Sequence, residues 1–167
     1  MTPIIEDVTP EDYDDVLTVN EAAVPKVGRI DRDRLIKLHE ESFYLRKALV
    51  EGKLAGLLLA LDQSADYASP NFLWFKARYE RFVYIDRVIV TEAFRRTGIG
   101  LKFYSDLESR ARSVTSALMC EVNLEPPNPG SIAFHQSIGF REVGQQDTYD
   151  GTVRVSLMRK SLQMSGI

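Results

Sequence analysis

Apolar positions along the chain recur with a period near two in some runs and near 3.6 in others, and turn-forming residues separate the runs. Ile4 to Val8 reads as a short strand. Thr9-Pro10-Glu11-Asp12 then places a cap, a proline and acids where a helix begins, so a first helix is expected to about Ala23. Leu35, Ile36, Leu38 and His39 carry a helical pattern after Asp31 or Asp33, which predicts a second short helix. Phe43–Val50 and Leu54–Ala60 flank Glu51-Gly52-Lys53 and read as a hairpin. Asp62 to Phe75 mixes Ser64, Ser69, Pro70 and Asn71 with aromatics, and suggests an ordered excursion that helps shape a pocket.

Val83–Val90 is β-branched and largely apolar, the composition of a central strand. A helix starts near Gly98 or Ile99, with Leu101, Phe103, Tyr104, Leu107 and Ala111 as its apolar positions. Ala117–Leu124 is the next strand, ended by Pro126-Pro127-Asn128-Pro129. Ser131–Ile138 reads as a short helix closed by Gly139. Two final strands, near Arg141–Gln146 and Val153–Lys160, are separated by a turn at Asp150-Gly151. Repeats, linkers and low-complexity tracts are not evident, so residues 1–167 are expected to form a single mixed α/β domain.

Composition narrows the class. The 167 residues are 44% hydrophobic, 27% charged and 10% aromatic, as in an ordinary water-soluble domain. A net charge of −3 argues against a general nucleic-acid binder. The single cysteine, Cys120, excludes an internal disulfide and fits a reducing compartment. The first residues lack the basic and apolar regions of a secretory signal. Leu54–Leu61, interrupted by Gly56, is far short of the roughly 20 residues of a membrane span. A cytoplasmic protein with no membrane partner is therefore expected.

The near-neutral total conceals an asymmetry. Residues 1–41 hold 11 acids and 5 bases, whereas residues 76–102 hold 7 bases and 3 acids. On charge alone both read as solvated faces, but the basic segment contains Arg95-Arg96-Thr97-Gly98-Ile99-Gly100 between a predicted buried strand and a predicted helix. There, glycines let backbone amides approach a phosphate, the helix start adds free N–H groups and a positive dipole end, and Arg95 and Arg96 add charge. A dinucleotide-binding fingerprint would need glycine where Phe103 stands, and the Gly-Lys-Ser/Thr ending of a P-loop is absent. Glycines that merely turn the chain would give the same spacing.

Arg95-x-x-Gly98-x-Gly100 after an apolar strand resembles the acetyl-CoA loop of the GNAT superfamily of N-acetyltransferases, whose pattern is Gln/Arg-x-x-Gly-x-Gly/Ala. Asn128-Pro129-Gly130-Ser131-Ile132-Ala133-Phe134-His135-Gln136-Ser137-Ile138-Gly139-Phe140 resembles the second signature of the same family. Both stand in the expected order, and the resemblance covers essentially the whole chain. It implies a central, mostly antiparallel mixed sheet flanked by helices, acetyl-CoA as cosubstrate, and direct transfer to a primary amine of a small molecule or peptide in a ternary complex. Val88 and Val90 would meet the pantetheine arm through their main chain, and Arg95, Arg96, Thr97, Gly98, Ile99 and Gly100 would cradle the pyrophosphate. An N–H near Ile89 or Val90 would face the oxyanion, and Asn128 and Ser131 would flank the cofactor. Asn128 capping a helix and Ser131 filling its first turn is the structural alternative. A homodimer is a further implication.

The amine must lose a proton before attacking, since a lysine-like amine has a pKa of about 10.4. The slot that commonly holds a tyrosine acid in this family carries His135, which could protonate the departing thiolate or serve only as a hydrogen-bonding group. For the base, Asp86 and Glu121 occupy interior strand positions where an unpaired carboxylate is costly. Asp86 is expected in an ion pair with a neighbouring arginine, which leaves Glu121 as candidate base or ammonium binder. Tyr84, Trp74 and Phe75 could line the acceptor site, but aromatics near a core strand more often pack, and they are given no role; Cys120 reads as a buried core residue. His39 and His135 are the only histidines and form no metal-ligand pattern, so no metal is expected. A non-catalytic acyl-CoA-binding or sensor module of the same fold is the alternative function, and a structural domain whose glycine loop binds nothing is a remoter one.

Overall fold

The computed structural model describes residues 2–148 and 151–164. Strand β1 is Ile4–Asp7, followed by a 3-10 turn at Pro10–Asp12 and helices α1 (Tyr13–Ala23) and α2 (Arg32–Glu41). Strands β2 (Tyr44–Val50) and β3 (Lys53–Asp62) form the expected hairpin around Glu51-Gly52. Helix α3 (Pro70–Lys76) precedes β4 (Val83–Val90), and a second 3-10 turn (Glu92–Phe94) leads to α4 (Ile99–Ala111). Strand β5 (Ala117–Glu125), helix α5 (Pro129–Ser137) and strands β6 (Arg141–Thr148) and β7 (Val153–Ser161) complete the chain. The strand order is β1-β2-β3-β4-β5-β7-β6. β4 and β5 run parallel, while β1/β2, β2/β3, β5/β7 and β6/β7 are antiparallel, which gives the mostly antiparallel mixed sheet with helices that the sequence implies.

Two differences from the sequence reading have local causes. The excursion after β3 contains α3, started by Pro70 at its first turn and too short to show a helical period. Helix α5 begins at Pro129 rather than Ser131, because proline's missing N–H costs nothing in a first turn. Of the expected turn at Asp150-Gly151, Asp150 lies outside the described residues, and Gly151 has a positive φ of 83°.

The chain divides into two compact units, Met1–Leu61 with Ile85–Leu107 and Asp62–Tyr84 with Glu108–Ile167. In the first, β3 is buried almost continuously from Ala55 to Leu61 and α4 contributes Ile99, Phe103 and Leu107. Gly56 makes this strand possible: a Cβ there would stand 2.4 Å from the Ile89 carbonyl oxygen and 3.4 Å from the Phe103 ring. Several of the N-terminal acids are paired. Asp12 and Glu6 meet Lys47, Asp7 meets Arg46 (which also reaches Asp106 at 2.7 Å), Asp14 meets Arg32 and Glu21 meets Arg29. Burial works to raise the Asp12 carboxyl, but its bonds from Lys47 and Thr9 outweigh it and hold the group below the usual carboxylate range.

In the second unit, Phe72, Phe75, Phe82 and Tyr84 are fully buried and form an aromatic cluster with ring centroids 5.6 to 6.2 Å apart. Its ring interactions add to area burial as the core of this unit.

Because the Gly56 contact is with backbone, Gly56→Ala is expected to cost about 1–3 kcal/mol. Thermal unfolding should show a fall of roughly 3–10 °C in Tm for a domain of this size.

Candidate functional site

The loop between β4 and α4 is built to present amides. The Thr91 N–H donates to the Ala55 carbonyl at 2.9 Å, which fixes where β4 ends. The 3-10 turn closes with Phe94 N–H to the Thr91 carbonyl, the Thr97 hydroxyl donates to the Phe94 carbonyl, and Arg95 Nε donates to the Val90 carbonyl at 3.3 Å. Arg96 (φ 63°) and Gly98 (φ 84°) both sit in the left-handed region. Left-handed residues alternating with others turn successive N–H groups into a concave anion nest, and Gly98 adopts that conformation without the steric cost a Cβ brings.

Helix α4 begins directly beyond, with Lys102 N–H bonding the Gly98 carbonyl at 3.1 Å. Buried Ile99 anchors its first turn while Arg95, Arg96, Thr97 and Gly98 remain exposed. The helix start adds unpaired amides and the positive end of its dipole to this basic segment. A diphosphate-bearing ligand such as acetyl-CoA fits this donor set.

In the same unit, Val88 and Val90 are half-buried and Ile89 is buried on β4. Asp86 forms the ion pair expected of it, with its Oδ2 2.7 Å from Arg87 Nε. The buried Arg87 also donates to the Asn20 side chain (2.7 Å) and the Gly28 carbonyl (2.9 Å), and Asn20 donates to Gly28 as well. This network ties the α1–α2 connection to β4, and a buried charge is tolerable only with such saturation. Asp86 is thus a structural carboxylate.

The second unit holds the other candidates. β4 pairs in parallel with β5 at Val83↔Leu118 and Tyr84↔Met119, so Tyr84, Met119 and Glu121 share one sheet face. The Tyr84 hydroxyl donates to Glu121 Oε2 at 2.7 Å. Cys120, on the opposite face, is buried, and burial together with the Glu121 charge pushes its thiol well above the ordinary value. It is not a nucleophile in that state.

On α5, Asn128 is the N-cap, its side chain accepting from Ser131 N–H at 3.4 Å. The Ser131 carbonyl accepts from His135 Nδ1 at 2.7 Å, and the Ser131 hydroxyl lies 3.3 Å from the same nitrogen. The His135 ring is 5% exposed and meets Phe134 and Phe140 edge-on. Burial pushes its pKa below the ordinary 6.5, with the Ser131 carbonyl opposing only in part. Since a carbonyl only accepts, the neutral ring carries its hydrogen on Nδ1.

The structure therefore joins Glu121 to Tyr84, and Asn128 and Ser131 to His135. The partnership of Tyr84 with Glu121 is not visible in the sequence. Its only signal there was an aromatic in an apolar strand, and the partnership with Glu121 depends on the register of a parallel pair whose members lie more than 30 residues apart. Among the described residues no helix is long and apolar enough to cross a membrane, and no group of three or more His, Cys, Asp or Glu side chains is placed to hold a metal ion.

Solved structures share this fold. NAA60 of Arabidopsis thaliana, in complex with a bisubstrate analogue, superposes with a TM-score of 0.78 at 16% identity, covering 98% of this chain and 100% of that one. The yncA protein of Salmonella typhimurium, with its cofactor acetyl-CoA, gives 0.74 at 18% identity over 100% and 98%. A ribosomal-protein-alanine N-acetyltransferase from Brucella melitensis gives 0.70 at 21% identity over 95% and 99%. No curated protein matches the sequence. The model of the acetyltransferase (GNAT) family matches residues 7–140, which include the Arg95–Gly100 nest and both Glu121 and His135. The chain belongs to the GNAT acetyltransferase family.

Proposed function

We propose that this protein transfers an acetyl group from acetyl-CoA to a primary amine of a small molecule or peptide, by direct attack in a ternary complex. The observation that carries the proposal is the Arg95–Gly100 loop: two left-handed residues, two exposed arginines and a helix start in one segment. Family membership supports the same cosubstrate, as does the presence of acetyl-CoA or a bisubstrate analogue in structures of the same fold. The family model crosses both compact units, which supports reading residues 1–167 as one functional domain.

In this reading Arg95 and Arg96, with the amides of Thr97 to Gly100, bind the diphosphate. Main-chain groups of Val88 and Val90 hold the pantetheine arm, and an N–H at Ile89 or Val90 faces the carbonyl oxygen as it gains charge. Acetyl-CoA supplies an activated thioester. Glu121 takes the proton of the attacking ammonium: the N–H bond breaks, its electron pair stays on nitrogen, and the proton passes to the carboxylate. Asn128 and Ser131 flank the cofactor while organising the first turn of α5.

His135 has a different part from the acid that the family slot suggests. A buried neutral imidazole with its hydrogen committed to a carbonyl has no proton to give near pH 7. We assign it to the stability of α5. As the C–N bond forms, the thioester C–S bond breaks with its electron pair on sulfur, and the thiolate, whose pKa is modest, takes up the second proton that the acylated nitrogen sheds. The same feature favours the second reading, an acyl-CoA-binding module without proton transfer.

Titration calorimetry with acetyl-CoA and thiol release against a panel of amines, amino acids and peptides separate these readings. Saturable binding with acceptor-dependent thiol release is expected. Binding without release by any acceptor would identify the sensor module, and no binding would overturn both. Replacing Arg95 and Arg96 together by alanine should weaken acetyl-CoA binding about tenfold to a hundredfold, the worth of one or two charge-assisted contacts.

Glu121→Gln should lower kcat about a hundredfold or more while cofactor affinity holds. His135→Phe should leave turnover near that of the wild type. Because the folded His135 pKa lies below the unfolded 6.5, the unfolded state binds more protons between the two values. Its contribution to stability is complete above about pH 6.5 and is lost as the pH falls from there toward the folded value. Urea midpoints measured from pH 7.5 to 5 should fall less steeply in His135→Phe than in the wild type.

A further inference from the structure

The reaction as proposed gives Tyr84 no task, yet its hydroxyl is bonded to the carboxylate on which proton removal turns. We propose that Tyr84 is a positioning residue for Glu121, fixing one carboxylate oxygen in place and holding the group ionised so that it is ready to take the amine's proton. This rests on the reading of Glu121 as the base.

The geometry is that of a built contact. At 2.7 Å the O–H···O bond is fully formed, at the ordinary hydroxyl distance and the upper edge of the charge-assisted range. A phenol, with a pKa of about 10, keeps its proton at any pH where a carboxylate is ionised, so Tyr84 is the donor. A bond donated to the charged form favours that form and draws the carboxyl pKa down. Glu121 is half-buried on β5, where desolvation pushes the other way, so the donor offsets a cost that the site itself imposes.

The donor cannot wander. Tyr84 is fully buried, with ring contacts to Phe72 at 5.6 Å and Phe75 at 6.0 Å, and Phe82 packs on both of those rings. Helix α3 therefore clamps the phenol, and the parallel register aims it along the face that carries Glu121.

Other titratable and charged groups lie on the elements around Glu121. Cys120 is its neighbour on β5, held as a neutral thiol. Arg159 of β7 pairs opposite Met119 on the same face, with its guanidinium over the Tyr79 ring and a bond to Ser161. Helix α5, in contact with β5, carries His135, neutral near pH 7, and α3 carries Lys76 above Phe72. Each keeps its place when only the Tyr84 oxygen is removed.

Tyr84→Phe in the full chain makes that removal and leaves the ring in its cluster. In protein labelled with 13C-glutamate, the carboxyl resonance of Glu121, assigned by its loss in Glu121→Gln, should titrate about one pH unit higher in Tyr84→Phe than in the wild type. With an acceptor that releases thiol, the acidic limb of the kcat profile should move upward by the same amount, kcat should fall, and KM for acetyl-CoA should stay unchanged. A side chain that merely fills space would move neither the resonance nor the limb. An unmoved Glu121 titration in a folded Tyr84→Phe protein overturns the proposal.

Should Tyr84→Phe fail to fold, the reciprocal measurement decides. The Tyr84 Cζ resonance of 13C-tyrosine-labelled wild-type protein should shift as Glu121 titrates, and a resonance indifferent to that titration overturns the proposal equally. A shifted Glu121 titration with no thiol release by any acceptor would uphold the positioning role while overturning the acetyl-transfer reading.

Discussion

The close approach of β3 to β4 at Gly56 is the constraint on which the cofactor loop depends. With no Cβ at this point, the Ile89 carbonyl comes within a distance that any other residue would block, and the Thr91 N–H closes onto Ala55 one residue before it. These contacts fix the end of β4. The residues that follow then have one short way to reach the buried anchor Ile99, through a 3-10 turn and two left-handed residues. The left-handed Arg96 and Gly98 shape the last turn before the helix. Basic side chains at Arg95 and Arg96 give that shape its sign.

Charge elsewhere in the first unit has a different use. The acidic N-terminal stretch looks from composition like a surface that could attract a cationic acceptor. Several of its acids meet a base, and Lys47 and Arg46 each bridge two carboxylates while largely covered. The Asp14–Arg32 and Glu21–Arg29 pairs are exposed, and pairs of that kind stabilise little. Arg87 shows the buried version: it pairs with Asp86 beside it on β4 and donates to Asn20 and Gly28, which ties β4 to α1 and the α1–α2 connection.

The second unit sorts its ionisable groups by environment. Cys120 and His135 are buried, and burial favours the neutral form of each. Glu121 is only half-covered, and its Oε2 accepts a hydrogen bond from the Tyr84 phenol. The Ser131 carbonyl one turn earlier on α5 takes the hydrogen of His135, the geometry on which its proposed structural part rests.

Much of this was legible in the amino-acid order because it is local. Alternating and helical periods, the Asn128-Pro129 cap, the Glu51-Gly52 turn and the strand–glycine–helix loop depend on residues a few positions apart, and the chain builds them where the pattern says. Asp86 seeking an arginine follows from the cost of an unpaired interior carboxylate. The short helix α3 was not legible, since seven residues led by a proline show too little periodicity. Tertiary structure alone decided that Tyr84 meets Glu121, that His135 is neutral with its hydrogen on Nδ1, and that several of the N-terminal acids are paired. Those outcomes depend on strand register and on burial, which are properties of segments distant in the chain, and no spacing within one segment encodes them.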